Sequence, residues 1–154
     1  MARTTIMRAQ VDAANAMLDR IRIGIDTYKG DPSAYPLSLD VARLAAVLRI
    51  HFSIADRNLY PFLIASGSPE TAALARDFQR EICTLATRFE RFSQRWQSSS
   101  AIASNVDLFR SEAAVMIMAL RRRLRRETSD LFPIADALAE ALDADWPGGR
   151  AIAF

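Results

Sequence analysis

The chain has 154 residues, of which 51% are hydrophobic and 25% are charged, and its formal net charge is +2. These values are typical of a globular domain and exclude a disordered, collagen-like or low-complexity polypeptide. So small a net charge gives no general electrostatic reason to expect a nucleic-acid partner. We therefore expect one domain over residues 1–145 and a short tail over residues 146–154.

Membrane and disulfide elements are not indicated by the sequence. The longest wholly apolar run, residues 113–120, is far shorter than the roughly 20 residues that cross a bilayer. No sustained apolar stretch follows Arg3 and Arg8, so we expect no secretory signal and a cytoplasmic protein. Cys83 is the single cysteine, and its helical neighbours predict a small buried side chain rather than a reactive thiol.

The first half of the chain contains two stretches with the three- and four-residue spacing of an amphipathic helix. The first helix is predicted over residues 4–29 and ends before Pro32. The second helix is predicted to open at Ser38 or Asp40, since either side chain can cap a helix. Pro61 either kinks this helix or begins a last short turn.

The second half repeats this organisation. Ser68 is a natural cap for a third helix, and the serines at 98–100 mark the following loop. A fourth helix begins near residues 104–105, Pro133 interrupts it, and a short helix continues to about Leu142. Short connections between long helices favour antiparallel neighbours. The prediction is an all-α, up-down-up-down four-helix bundle with a short extra C-terminal helix.

Two segments at the ends of the second and fourth helices align without gaps. The first reads HFSIADRNLYP from His51, and the second reads RLRRETSDLFP from Arg123. The pair resembles the repeated signature of hemerythrin-like (HHE) cation-binding domains, in which each copy reads His-x-x-x-Glu and ends in Leu, an aromatic residue and Pro. Residues four apart share a helix face, so such a pair can bind one metal. The resemblance implies a hemerythrin-like bundle with a non-haem di-iron site that binds oxygen or senses oxygen or iron.

The individual ligands of that signature carry over only in part. His51 matches the histidine of the first copy, but Ala55 stands where its glutamate belongs. Glu127 matches the carboxylate of the second copy, but Arg123 replaces its histidine. The first helix has no histidine, and Val11 is our candidate for the vacated position.

The remaining donors suggest two hypotheses. A reduced metal site would use His51, Glu127, Glu81 and Asp56, with iron as the cofactor. Alternatively no cofactor is bound, and Arg123 supplies the positive charge that a buried carboxylate needs, in a polar network with Glu127 and with His51 or Glu81. We expect the second arrangement because a di-iron site needs more donors.

The arginine-rich segment over residues 121–126 is a candidate anion-binding or partner surface. Arg122, Arg125 and Arg126 are expected to point outward, where they would meet phosphate, nucleotide or an acidic protein surface. No aromatic residue is interleaved with them, which argues against nucleic acid. The aromatic row of Phe89, Phe92 and Trp96 and the apolar residues 116–118 are expected to be buried within the bundle. The alternative is a partner surface, which for the aromatic row would be a homodimer contact.

Catalytic motifs are not found in the sequence. There is one histidine, no nucleophile elbow and no Gly-rich phosphate loop. The leading expectation is a non-enzymatic bundle with a degenerate di-iron site that is regulatory and acts through a protein partner or a small ligand. The alternatives are an iron-binding oxygen or redox sensor and a receptor for anions or nucleotides.

Overall fold

The structure of the chain is a computed structural model that describes residues 3–145, which are almost entirely helical. The predicted tail, residues 146–154, lies outside the described residues. The elements, in chain order, are α1 (Thr5–Asp26), α2 (Asp31–Ile54), the π-helical turn π1 (Ala55–Leu59), α3 (Tyr60–Ser66), α4 (Pro69–Trp96), α5 (Ser99–Ser104), α6 (Val106–Arg126), the π-helical turn π2 (Glu127–Leu131) and α7 (Phe132–Ala144).

The four long helices, α1, α2, α4 and α6, surround one continuous core. In sequence order each packs against the next, and α6 returns to pack against α1. The buried stripes repeat every three or four residues, as in Met7, Val11, Ala14 and Leu18 of α1. Residues 3–145 contain no strand, and the predicted all-α, up-down-up-down bundle is confirmed.

The two aligned segments have the same backbone distortion. A π-helical turn begins at the fifth residue of each copy, Ala55 in the first and Glu127 in the second. Pro61 and Pro133 follow these turns, and proline has no N–H to donate to the carbonyl four residues earlier. A π-helical turn accommodates this missing hydrogen bond without ending the helix. The chain therefore continues into α3 and α7, which agrees with the last short turn predicted at Pro61 and the short helix predicted after Pro133.

The predicted start of the second helix was wrong. Helix α2 begins at Asp31, directly after Gly30, whose φ of 104° lies in the region that favours glycine. Pro32 falls in the first turn, where a missing N–H costs no helical hydrogen bond. Ser38 and Asp40 lie inside the helix: Ser38 donates to the Tyr35 carbonyl at 2.8 Å instead of capping.

The helix starts in the second half agree with the sequence. The hydroxyl of Ser68 accepts a bond from the Thr71 amide at 3.2 Å, and Asn105 accepts from the Leu108 amide at 3.3 Å. The loop expected at 98–100 instead opens the short helix α5, whose buried Ile102 packs on the core.

Burial tests two further expectations. Phe92 and Trp96 pack inside their own bundle against Phe109, with ring centroids 6.2 and 5.3 Å apart, so the expected burial of the aromatic row within the bundle is confirmed. Cys83 is exposed on α4, so the prediction that it is a buried side chain was wrong. Among the described helices, none is both long and apolar enough to cross a membrane.

Candidate functional site

The two aligned segments bring three of the predicted site residues together in the core. His51 lies in the last turn of α2, Arg123 in the last turn of α6, and Glu127 begins π2. The exposed fraction of the residue is 0% for His51, 3% for Arg123 and 0% for Glu127. Tyr60, the first residue of α3, is equally buried and completes the cluster. We call these four residues the core network.

Glu127 is the centre of the core network. Its Oε2 lies 2.6 Å from Nε2 of His51, and its Oε1 accepts hydrogen bonds from Arg123 Nε at 3.0 Å and from the Tyr60 hydroxyl at 3.2 Å. Because an ionised carboxylate only accepts, Nε2 of His51 carries the proton in that contact. Both carboxylate oxygens are therefore satisfied by neighbouring side chains, as a buried charge requires.

Arg123 joins three helices around that carboxylate. Besides Glu127, its guanidinium donates to the Tyr60 hydroxyl and, at 3.0 Å, to the backbone carbonyl of Phe78 in α4. Its Cζ lies 4.4 Å from the centroid of the Phe78 ring, a cation–π distance. A planar donor fork can make these contacts simultaneously, which a lysine ammonium cannot.

The electrostatics of the core network favour an ionised Glu127. Burial alone raises the pKa of this carboxyl, but the hydrogen bond and charge of His51, together with the charge of Arg123, outweigh it, and the net pKa is lowered. The pKa of Tyr60 is raised, first by burial and then by the negative charge of Glu127. The network therefore holds a carboxylate beside a neutral phenol and a guanidinium cation.

The other two predicted metal ligands lie outside the core network. The Glu81 side chain is 48% exposed and accepts from Arg126 at 2.8 Å and from Arg123 at 3.3 Å at the rim of the bundle. Asp56 is exposed on π1 and accepts from the Gln79 amide at 3.0 Å. Glu81 thus borders the network through Arg123, whereas Asp56 faces solvent.

Two contacts of the core network were missed at the level of the sequence. Gln10 on α1 places its Oε1 3.3 Å from Nδ1 of His51, one residue before Val11, our candidate for the vacated position. Val11 is buried on the core stripe of α1. The signal for Tyr60 was present: the first aligned segment has Tyr where the second has Phe, so only the first copy brings a hydroxyl.

The predicted arginine surface is divided between two sides of α6. Arg122 and Arg126 border α4, in a groove that also contains Glu81. Arg125 borders α1, in a separate groove that it shares with Arg121. Arg121 and Arg126 are held by ion pairs with Asp19 and Glu81, respectively.

The fold and the paired segments define a class of protein: an antiparallel four-helix bundle with two related half-sites facing each other across its core. The model of the hemerythrin HHE cation-binding domain matches residues 4–135, and the chain belongs to this family. Neither a curated protein nor a solved structure matches it. Within residues 3–145, no group of three or more His, Cys, Asp or Glu side chains is placed to hold a metal ion.

Proposed function

We propose that this chain is a non-enzymatic hemerythrin-type bundle in which the core network takes the place of a di-iron site. The position of Arg123 carries the proposal. This arginine stands at the motif position of a metal-binding histidine, is only 3% exposed, and donates a hydrogen bond to the motif carboxylate, Glu127. A guanidinium has no lone pair to offer a metal. Its positive charge balances the carboxylate that a cation would otherwise balance.

The donor set present in the core does not fit a pair of irons. His51 and Glu127 provide one imidazole and one carboxylate, and the two point at each other at 2.6 Å. Ala55 contributes no donor at the other carboxylate position, and Glu81 faces the rim. Two cations bound in the core would repel the charge of Arg123 if it stayed there. Moving Arg123 out of the core would instead break three buried hydrogen bonds.

Regulation through binding is the role that we propose for the bundle. The core network cross-links α2, α3, α4 and α6 and leaves the outer grooves of the bundle free to contact a protein partner or a small ligand. Such a module would act through contacts that its outer surface makes with the partner or ligand.

Elemental analysis of protein produced in iron-rich medium tests the proposal. We expect far less than one iron per chain and no near-ultraviolet charge-transfer absorption. Two irons per chain, with those absorption bands, would contradict it. One tightly held iron per chain would instead favour the second candidate, a reduced cation site for redox or oxygen sensing, which is supported by the adjacent nitrogen and oxygen donors of His51 and Glu127.

A gain-of-binding variant makes the test specific to the core. Arg123→His removes the internal cation and adds an imidazole beside His51 and Glu127, which together would form a three-donor set. We expect this variant to bind Co²⁺ with visible d–d absorption, and the wild type not to. Arg122→His is the matched control, because Arg122 is exposed on the same helix. Equal cobalt spectra for the wild type and Arg123→His would refute the proposed role of Arg123.

A further inference from the structure

Helices α4 and α6 border two neighbouring depressions on the outside of the bundle, which have volumes of about 340 and 460 Å³. We call them together the α4/α6 groove. Along α4 it reaches from Glu81 to Arg95, which corresponds to about 21 Å at 1.5 Å per helical residue. The groove is open to solvent along its length. Such a shape suits an extended partner element better than an enclosed small molecule.

Positive charge dominates the walls of the α4/α6 groove. Six arginines and two glutamates line it, and one of the arginines, Arg123, is buried and paired with Glu127 of the core network. Both glutamates are already engaged: Glu81 by Arg126, and Glu112 by Arg95 at 2.8 Å and by the Trp96 indole at 2.6 Å. The other three arginines are exposed and have no carboxylate partner among residues 3–145: Arg88, Arg91 and Arg122.

The floor of the same groove is apolar. Leu85 and Ala119 lie at one end, and Val115 and Met116 lie at the other. Val115 is 56% exposed, an unusual degree for a large aliphatic side chain in the middle of a bundle helix. Buried Phe92 closes the bottom. The arginines of α4 border one end of this apolar strip, and those of α6 border the other end. An apolar strip with arginines at both ends is complementary to a helix that has an apolar stripe and flanking carboxylates.

We propose that the α4/α6 groove docks an acidic amphipathic helix of about four turns. This rests on the proposed function, since it names the kind of partner that the bundle would bind. The groove of a second copy would bring like charges together, which disfavours a symmetric dimer through this face. Single-stranded nucleic acid is a poorer match because the one aromatic ring in the groove, Phe92, is buried and cannot stack on a base.

A designed peptide tests the docking site. The probe is a fluorescein-labelled peptide of about 16 residues, since shorter helices are marginal in water, with leucines at three- and four-residue spacing and flanking glutamates. A second peptide replaces each glutamate by glutamine. Fluorescence anisotropy is recorded against the full chain at two salt concentrations. We expect saturable binding of the acidic peptide that weakens with salt, and binding of the glutamine peptide that is at least about tenfold weaker.

Charge reversal locates the binding. The double change Arg88→Glu and Arg122→Glu should weaken binding of the acidic peptide by about tenfold or more. The matched control is Arg57→Glu with Arg76→Glu, because these arginines are also exposed, outside the groove, and without a carboxylate partner among the described residues. It changes the net charge equally and should alter binding by less than about twofold.

Several outcomes would overturn the docking proposal. These are equal loss in both double variants, equal binding of both peptides, and displacement of the peptide by an RNA oligonucleotide at equal concentration. Sedimentation equilibrium that shows a dimer, which Arg88→Glu with Arg122→Glu dissociates, would assign the groove to a second copy instead. Iron content is measured on the same preparation. A metal-free protein that does not bind the peptide therefore refutes only the docking site. An iron-loaded protein refutes only the proposal that the core network takes the place of a di-iron site.

Discussion

Replacing Arg123 by methionine removes the internal cation while keeping a side chain of similar length in the core. The variant loses the bond to Glu127 at 3.0 Å, the bond to the Phe78 carbonyl at 3.0 Å and the bond to the Tyr60 hydroxyl. Glu127 retains His51 and Tyr60 but no longer faces a fixed positive charge at 0% exposure. The change therefore leaves a buried carboxylate without its guanidinium partner.

The expected cost follows from the burial of both partners. Removing one member of a buried ion pair typically costs about 3–5 kcal/mol. The Glu81 contact adds little, because that side chain is 48% exposed and solvent screens the pair. Protonation of Glu127 limits the loss, because it would remove the unpaired charge. Each unit by which the solution pH exceeds the pKa of the carboxyl adds about 1.4 kcal/mol to the cost of that protonation. We expect Arg123→Met to lower the free energy of unfolding by about 3–5 kcal/mol at pH 7.

Urea unfolding followed by circular dichroism at 222 nm measures this difference. Arg122→Met is the control, because Arg122 lies one residue earlier, is exposed and has no carboxylate partner among residues 3–145. It should change the free energy of unfolding by less than about 0.5 kcal/mol. If Arg123→Met lost less than about 1 kcal/mol, the value of a surface ion pair, the assignment of Arg123 as the charge partner of Glu127 would be refuted.

Three further predictions concern acid stability and backbone geometry. Because the pKa of Glu127 is lower in the fold than its unfolded value of about 4.3, its stabilisation is present above that value and is lost as the pH falls through the folded pKa. The free energy of unfolding between pH 3 and 6 should therefore fall less steeply in Glu127→Gln than in the wild type, and equal slopes would contradict this. Gly30→Ala should cost about 1–3 kcal/mol, because φ is 104° there; a smaller change in urea unfolding would show that the loop relaxes. Ser68→Ala should cost about 1 kcal/mol through loss of the bond to the Thr71 amide, whereas Ser68→Asp should restore the wild-type melting temperature.

Most of the architecture could be predicted from the sequence because its determinants are local. Apolar spacing identifies α1, α4 and α6, and the missing proline N–H explains why the α-helical hydrogen bonding of both aligned segments is interrupted before Pro61 and Pro133. The largest exception was the start of α2, where Ser38 and Asp40 are residue types that cap helices but lie within the helix. A capping side chain favours a helix that starts at its own position, whereas a proline favours a helix whose first turn contains it. Here the earlier start, and so the longer helix, forms.

The residues of the core network could be predicted only in part. Arg123 and Glu127 lie four apart on one helix, so their contact follows from helix geometry alone. The aligned motifs also predicted that His51 would face the same site from a second helix. Tyr60 was missed because its aromatic ring looked like packing, and Gln10 because a position on α1 has no sequence link to the motif.

The sequence by itself determined that four amphipathic helices form this bundle and that its two half-sites are related. It also determined that Ala55 and Arg123 stand at two of the positions where the paired motifs have a glutamate and a histidine. Only the tertiary structure decided that Glu81 lies at the rim, that Asp56 faces solvent, and that the arginines of the fourth helix divide between two grooves. The physical reason is that periodicity fixes which side chains share a helix face. The rotation of each helix against its neighbours, which packing sets over the whole core, fixes what that face meets.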